Sequence, residues 1–168
     1  MRILRNISIL LLTVGIMAFP AKAQTSLTSL DGTRVDIEGQ AGKVVILAVG
    51  AKWLPLSKKQ AEFTNILARK YAGKNVAVYF VLTDSTNPKS RNRATDEELR
   101  TWAAENKVTV QVLRDPDGSA TLQKFGIDQL PSFVVLNKNG AREGDNFGGI
   151  DPTFDITVPI SKRVDSLL

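Results

Sequence analysis

Residues 42–59 read GKVVILAVGAKWLPLSKK, and this stretch carries the strongest structural signals in the chain. Residues 44–49 are a continuous apolar run rich in β-branched side chains, which is typical of a strand buried on both faces. Pro55 follows where a helix can begin without losing a hydrogen bond. From Ser57 onward, apolar residues recur at helical spacing, at Phe63, Ile66, Leu67 and Tyr71. We therefore predict a buried strand, a turn around Trp53 and a long helix that stops near Gly73.

The N-terminus has the layout of a secretory signal peptide. Arg2 and Arg5 form a short basic start, residues 7–19 are largely apolar, and small residues precede a cut expected after Ala23. A retained membrane anchor is the alternative, but the apolar run is shorter than the ~20 residues that a spanning helix needs. We predict a signal peptide over residues 1–23, one domain over residues 24–168, and no membrane span after cleavage.

The charge of the chain does not point to nucleic acid. Without Arg2, Arg5 and Lys22, the 22 positive residues become 19, and the net charge falls from +5 to +2. One basic cluster remains, and it lies in a Ser/Asn/Pro-rich segment: Lys89, Arg91 and Arg93. A solvated loop is a better interpretation of it than a polyanion site.

Three chemically versatile residue types are missing from the part of the chain that follows the predicted signal peptide. The chain contains no cysteine and no histidine, and its two methionines, Met1 and Met17, lie in the predicted signal. Their absence removes the ordinary ligands for zinc, copper, haem iron and iron–sulfur clusters, so we expect no metal and no cofactor. It also removes the commonest general base and the best nucleophile.

The rest of the chain alternates strand and helix signals. We predict a hairpin over residues 27–36, a second buried strand over 75–82, a polar loop over 83–94 and a helix opened by a Thr95–Glu98 capping box with Leu99, Trp102 and Ala103 inward. A strand through Val108, Val110 and Val112 follows, and then come a turn at 115–118 and a short helix over 119–125. The next strand covers residues 132–136 and turns back to an antiparallel partner that ends near Phe147. A last helix covers residues 159–167. This order predicts an α/β fold in which helices flank a central mixed sheet.

Several segments resemble the thioredoxin superfamily, and in particular its exported TlpA/ResA-like, redoxin-type branch. They are GKVVILAVGAKW at 42–53, VQVLRDPDG at 110–118 and FGIDQLPSFVVLNKNG at 125–140. The resemblance covers nearly all of residues 24–168. It implies a thioredoxin-like fold and, in the family, thiol–disulfide oxidoreductase activity.

The positions that carry the family's chemistry differ in this chain. The two active-site cysteines of the family correspond to Leu54 and Ser57, and the buried proton-relay carboxylate of thioredoxins corresponds to Ala48. Lysine activation of Ser57 by Lys58 or Lys59 is disfavoured, because adjacent helical positions point in different directions. Peroxiredoxin and copper-chaperone activities are also disfavoured by the missing residue types. We expect no catalytic residues.

The resemblance implies that the Leu130–Pro131 bond is cis and that the residue before the proline pairs its backbone with a bound peptide; alternatively, Pro131 only shapes a loop. It also predicts a rim around the former active site made of Trp53, Leu54, Leu56, Leu130 and Pro131. This rim either binds a partner or an extended peptide, or it packs under the first helix and seals the site.

These observations lead to three hypotheses. The first is an exported, periplasmic or secreted, binding or adaptor protein that holds an extended peptide or an envelope protein in the former active-site groove. The second is a redoxin-class oxidoreductase, which the missing cysteines disfavour. The third is a structural role in an envelope assembly.

Overall fold

The structure is a computed structural model that describes residues 25–40 and 42–168. The predicted signal peptide therefore lies outside the described residues. The strands are β1 (Ser26–Ser29), β2 (Arg34–Asp36), β3 (Val44–Gly50), β4 (Val76–Leu82), β5 (Gln111–Arg114), β6 (Ser132–Leu136) and β7 (Phe147–Gly148), and the helices are α1 (Ser57–Lys70), α2 (Asp96–Glu105) and α3 (Thr157–Asp165). In this part of the chain, no helix is both long and apolar enough to cross a membrane.

Within the described residues, the strands form one mixed sheet in the order β2-β1-β5-β4-β3-β6-β7. β3, β4 and β5 are parallel to one another, while β6 pairs antiparallel to β3, and β7 pairs antiparallel to β6. The predicted N-terminal hairpin is confirmed, because β1 and β2 pair antiparallel with Leu27 opposite Val35. The predicted α/β class with a central mixed sheet flanked by helices is also confirmed.

Two apolar clusters cover the faces of the sheet. One face packs against α1, α2 and α3, through Phe63, Leu67, Leu99, Trp102, Ile160 and Val164. The other cluster includes Leu27 and Val35 of the hairpin strands, and the segment before β6 packs on it through Phe125 and Ile127. β3 lies between the two clusters, with Ile46 in the first and Leu47 in the second. Its continuous apolar run therefore reflects burial on both faces, as predicted.

The predicted helix over residues 119–125 is wrong, because the chain forms successive turns there. The buried Asp115 carboxylate accepts the backbone N–H groups of Ala120 and Thr121, each at 2.9 Å. Gly118 and Gly126, at the two ends of the segment, have positive φ angles of 66° and 60°. A side chain that binds successive N–H groups competes with regular helical pairing, so the segment winds around Asp115 instead.

The strand predicted through Val108 and Val110 begins later, at Gln111. The Asn65 side chain of α1 donates to the Lys107 carbonyl at 2.7 Å and accepts from the Thr109 N–H at 2.9 Å. These bonds hold residues 107–109 against α1 instead of in the sheet. The first part of β4 thus has no β5 partner and is only partly buried, so full burial of that strand was wrongly predicted.

The apolar pattern that predicts α1 includes Ile66, but the side chain of Ile66 is 39% exposed. The buried stripe of α1 runs instead through Gln60, Phe63, Thr64 and Leu67. Two of these residues are polar and bind backbone carbonyls, so a pattern of apolar residues alone does not locate the stripe.

The C-terminal strands and the last helix are of the types predicted from the sequence. The strand over residues 132–136 and its antiparallel partner at Phe147 are confirmed. The last helix is confirmed, with Ile160 and Val164 buried, but it begins at Thr157 because the Asp155 side chain accepts the Thr157 N–H at 3.0 Å.

Candidate functional site

The candidate site is the turn between β3 and α1, residues 51–56, together with the segment that enters β6. Trp53 is 49% exposed and Leu56 is 37% exposed, while Pro55 is exposed and Leu54 is half-buried. The Leu54 N–H bonds the Ala51 carbonyl at 3.1 Å, which closes the turn before α1 begins. The short turn therefore presents large apolar side chains to solvent at the start of a long helix.

Ser57, at the second of the two cysteine positions, is fully buried. Its hydroxyl accepts the Ala51 N–H at 3.2 Å, and so it ties the first turn of α1 to the end of β3. A Cβ on Gly50 would lie 2.8 Å from this hydroxyl and 2.4 Å from Gln60 Oε1, so the packing leaves no room for a side chain there. Ser57 thus has a structural role in the turn.

Gln60 connects α1 to both neighbouring strands. Its buried Nε2 donates to the Ser132 carbonyl at 2.8 Å and to the Val49 carbonyl at 3.2 Å. Gln60 Oε1 and Ser132 Oγ are buried with no hydrogen-bond partner in the described part of the chain. This clamp holds the start of α1 in register with the entry to β6.

The Leu130–Pro131 bond is cis, which confirms the expectation from the resemblance. Ser132 pairs with Val49, so the two residues before it lie beside the turn that follows β3. Pro131 is buried. Leu130 is half-buried and packs against the second apolar cluster, which contains Leu27 and Val35. Of the predicted rim, the structure therefore exposes Trp53 and Leu56, partly covers Leu54 and Leu130, and buries Pro131.

A buried carboxylate that was not among the predicted site residues lies next to this turn. Asp84 follows β4, is 1% exposed, and accepts the Lys52 N–H at 2.8 Å. Burial raises the pKa of the Asp84 carboxyl above its ordinary value, although the Lys52 N–H bond acts in the opposite direction. The sequence signal for it was a lone acidic residue two positions after a predicted buried strand. Ala48, where a relay acid would lie, is fully buried in the core.

A family model described as Redoxin matches residues 17–143. The chain belongs to the Redoxin family. The thiol-disulfide oxidoreductase ResA of Bacillus thuringiensis is 24% identical to it over 113 residues, which are 67% of this chain and 60% of that protein. The chain therefore aligns with about 60% of the length of this curated relative.

Solved structures share the fold. The exposed lipoprotein thioredoxin Etrx1 of Streptococcus pneumoniae has a TM-score of 0.69 and 22% identity, over 86% of this chain and 100% of that one. A secreted disulfide oxidoreductase of Mycobacterium tuberculosis has a TM-score of 0.65 and 19% identity, over 86% and 96%. This chain is thus a redoxin with a thioredoxin-like fold and relatives that are thiol–disulfide oxidoreductases, but its own sequence contains no thiol.

The residues present restrict the chemistry of this redoxin site. Leu54 has no nucleophile. The Ser57 hydroxyl is buried, whereas the Lys58 side chain next to it is exposed and Lys59 pairs with Glu62 at 2.7 Å. A serine without an adjacent base stays protonated and is a weak nucleophile. The site offers apolar surface and backbone groups rather than reactive ones.

Proposed function

We propose that this redoxin is an exported binding module that holds a peptide or protein at the former active-site rim and does not exchange disulfides. The observation that carries the proposal is the exposure of Trp53 and Leu56 at the place where the family has its reactive pair. Exposed apolar side chains grouped on a soluble domain tend to mark interaction surfaces. Aromatic residues are also enriched among those that dominate binding energy.

The surroundings of the rim support this role. Gln60 and the buried Ser57 fix the turn to two strands, so the exposed side chains stand on a rigid base. A pre-organised surface binds with a smaller entropic cost. The predicted signal peptide supports export, and two structural relatives are described as secreted and as an exposed lipoprotein.

The experiment is recovery of partners from an envelope extract by immobilised wild type and by Leu54→Asp and Leu130→Asp variants. We expect one or more proteins to be recovered by the wild type and lost with both variants, because a charge on the rim must be desolvated on binding. Val158→Asp is the matched control, since Val158 is 64% exposed on α3. Circular dichroism verifies that each variant is folded.

Equal recovery by the wild type and both rim variants would exclude the rim as the interface and favour the structural role in an envelope assembly. The oxidoreductase alternative has a direct test in disulfide reduction and peroxide consumption by the purified protein. Turnover above that of a Trp53→Ala/Ser57→Ala variant would overturn the proposal that the site is inactive.

A further inference from the structure

Four neighbouring segments, among those that connect the strands, lie around the rim at one edge of the sheet. β3, β4 and β7 run in one direction and β6 in the other, so the edge contains the chain after β4, after β3, before β6 and after β7. The strand order places these segments as residues 83–95, 51–56, 126–131 and 149–156. The rim thus lies between the 83–95 loop and the 149–156 loop.

The 83–95 loop is the basic side of this edge. Lys89, Arg91 and Arg93 are exposed, and within the described residues none of them forms an ion pair. The carboxylates at the start of α2 already have cationic partners, in the pairs Asp96–Arg114, Glu97–Arg100 and Glu98–Lys52. Two further acidic groups lie near the loop: Asp84 is buried and holds the Lys52 N–H, and Asp117 is exposed and accepts from the Ser85 hydroxyl. The three unpaired cations exceed them in number, so this side of the edge remains net positive.

The opposite side of the edge is acidic. Asp128, Asp151 and Asp155 are exposed, and none forms an ion pair in the part of the chain that the structure describes. The Thr153 hydroxyl and N–H bonds hold the pKa of the Asp151 carboxyl below its ordinary value, so it stays ionised. The Lys138 side chain lies far from these carboxylates, since it follows β6 at the other edge of the sheet and bonds the Leu168 carbonyl.

Resting on the binding role proposed above, we propose that the rim recognises an extended peptide with segregated charges: an acidic end over the 83–95 loop, an apolar middle on Trp53 and Leu56, and a basic end over the 149–156 loop. The distance from β4 to β7 is three strand spacings, or about 14 Å at ~4.8 Å each. An extended chain covers that distance with about four residues. The apolar middle is therefore short, and the charges on both sides of it fall over charges of opposite sign.

The test uses two fluorescein-labelled synthetic peptides of identical composition. One has three glutamates, four apolar residues and three lysines in that order, and the other has the same residues with alternating charges. Fluorescence anisotropy with the purified protein should give about tenfold tighter binding of the segregated peptide at low salt, as several exposed charge pairs act together. The preference should shrink as added salt screens the charges.

The decisive variant is Lys89→Glu/Arg91→Glu/Arg93→Glu, which should abolish the preference. The matched control is Lys43→Glu/Lys74→Glu/Lys107→Glu, which makes the same change in net charge at exposed positions next to the opposite ends of the strands and should keep it. Equal binding of the two peptides, or the same preference in both triple variants, would overturn the charge model. The charge model would also be overturned if neither peptide bound the protein.

The orientation of the bound peptide can be measured separately with a spin label. Because the chain has no cysteine, a single introduced cysteine is the one site that the label can modify. A spin label on an Asn92→Cys variant should broaden the NMR signals of the glutamate end of the segregated peptide and spare the lysine end. Equal broadening of both ends would contradict the orientation. These failures are distinct from failure of the binding role, because that role is excluded by equal partner recovery with the wild type, Leu54→Asp and Leu130→Asp, whatever the peptides do.

Discussion

Asp84 connects the 83–95 loop to the rim, through its bond to the Lys52 N–H one residue before Trp53. A carboxylate that is 1% exposed carries a desolvation cost when it is ionised. This cost raises its pKa above the ordinary value, even though Lys52 and Arg114 lower the pKa. Asp84 thus positions the Lys52 backbone, and its ionised carboxylate lowers the free energy of unfolding at neutral pH.

The raised pKa predicts how Asp84→Asn changes stability with pH. The folded wild type binds this proton more tightly than the unfolded chain, so its free energy of unfolding falls as pH rises from the ordinary aspartate value of 3.8 through the raised folded value. The variant lacks this titration. We expect the variant-minus-wild-type difference in unfolding free energy to increase with pH over that window and then level off, as measured by urea unfolding at several pH values.

Asp128→Asn is the matched control, because it makes the same substitution at an exposed position. A difference for Asp84→Asn that is flat or that falls with pH would contradict the assignment of a raised pKa.

Among the elements, α2 carries the clearest local signal. Its N-terminus has both halves of a capping box, with Glu98 N–H donating to Thr95 Oγ1 at 3.2 Å and Thr95 N–H donating to Glu98 Oε2 at 2.7 Å. The Thr95 bonds lower the pKa of the Glu98 carboxyl. α2 also begins where the 83–95 loop ends, so the box fixes one end of the basic loop.

Thr95→Ala should therefore destabilise the protein by about 1 kcal/mol, because α2 loses its N-cap. Thr101→Ala on the exposed part of the same helix should stay within about 0.5 kcal/mol of the wild type. The Glu98 pKa is lowered in the folded state, so the stabilisation by the box is present above its ordinary pKa and is lost as pH falls. Urea unfolding of both variants at neutral and acid pH measures these effects, and equal effects of the two substitutions would contradict the role of the cap.

At the scale of the whole molecule, the chain keeps the scaffold of a family of oxidoreductases without its thiols. α1 begins at Ser57, the second of the two cysteine positions, Ser57 is buried, and the cis Leu130–Pro131 bond lies beside the turn. Helix N-termini favour the thiolate, and cysteines three positions apart at such an end are the usual redox pair.

The preserved scaffold predicts that Leu54→Cys/Ser57→Cys gains thiol–disulfide activity. We expect an intramolecular disulfide by mass spectrometry and insulin reduction with dithiothreitol above the wild-type background, while each single cysteine variant stays at that background. The rate should be modest, since Ala48 supplies no relay acid. A folded double variant that forms no disulfide would show that the turn has lost the family's geometry.

The order of the elements followed from patterns local in the sequence. The run over residues 44–49, the Thr95–Glu98 box and the hairpin over residues 27–36 each specify their own backbone, and all three are found as predicted. Errors arose where a distant side chain takes over backbone groups. Asn65 holds residues 107–109 out of the sheet, and Asp115 winds the chain where a helix was predicted.

For the site, the sequence by itself determined what chemistry is missing, because the absence of cysteine and histidine holds in any fold. Only the tertiary structure decided which rim side chains are exposed, since burial depends on neighbours far along the chain. It was also the strand order, a property of the whole sheet, that placed the basic loop and the acidic loop on opposite sides of Trp53.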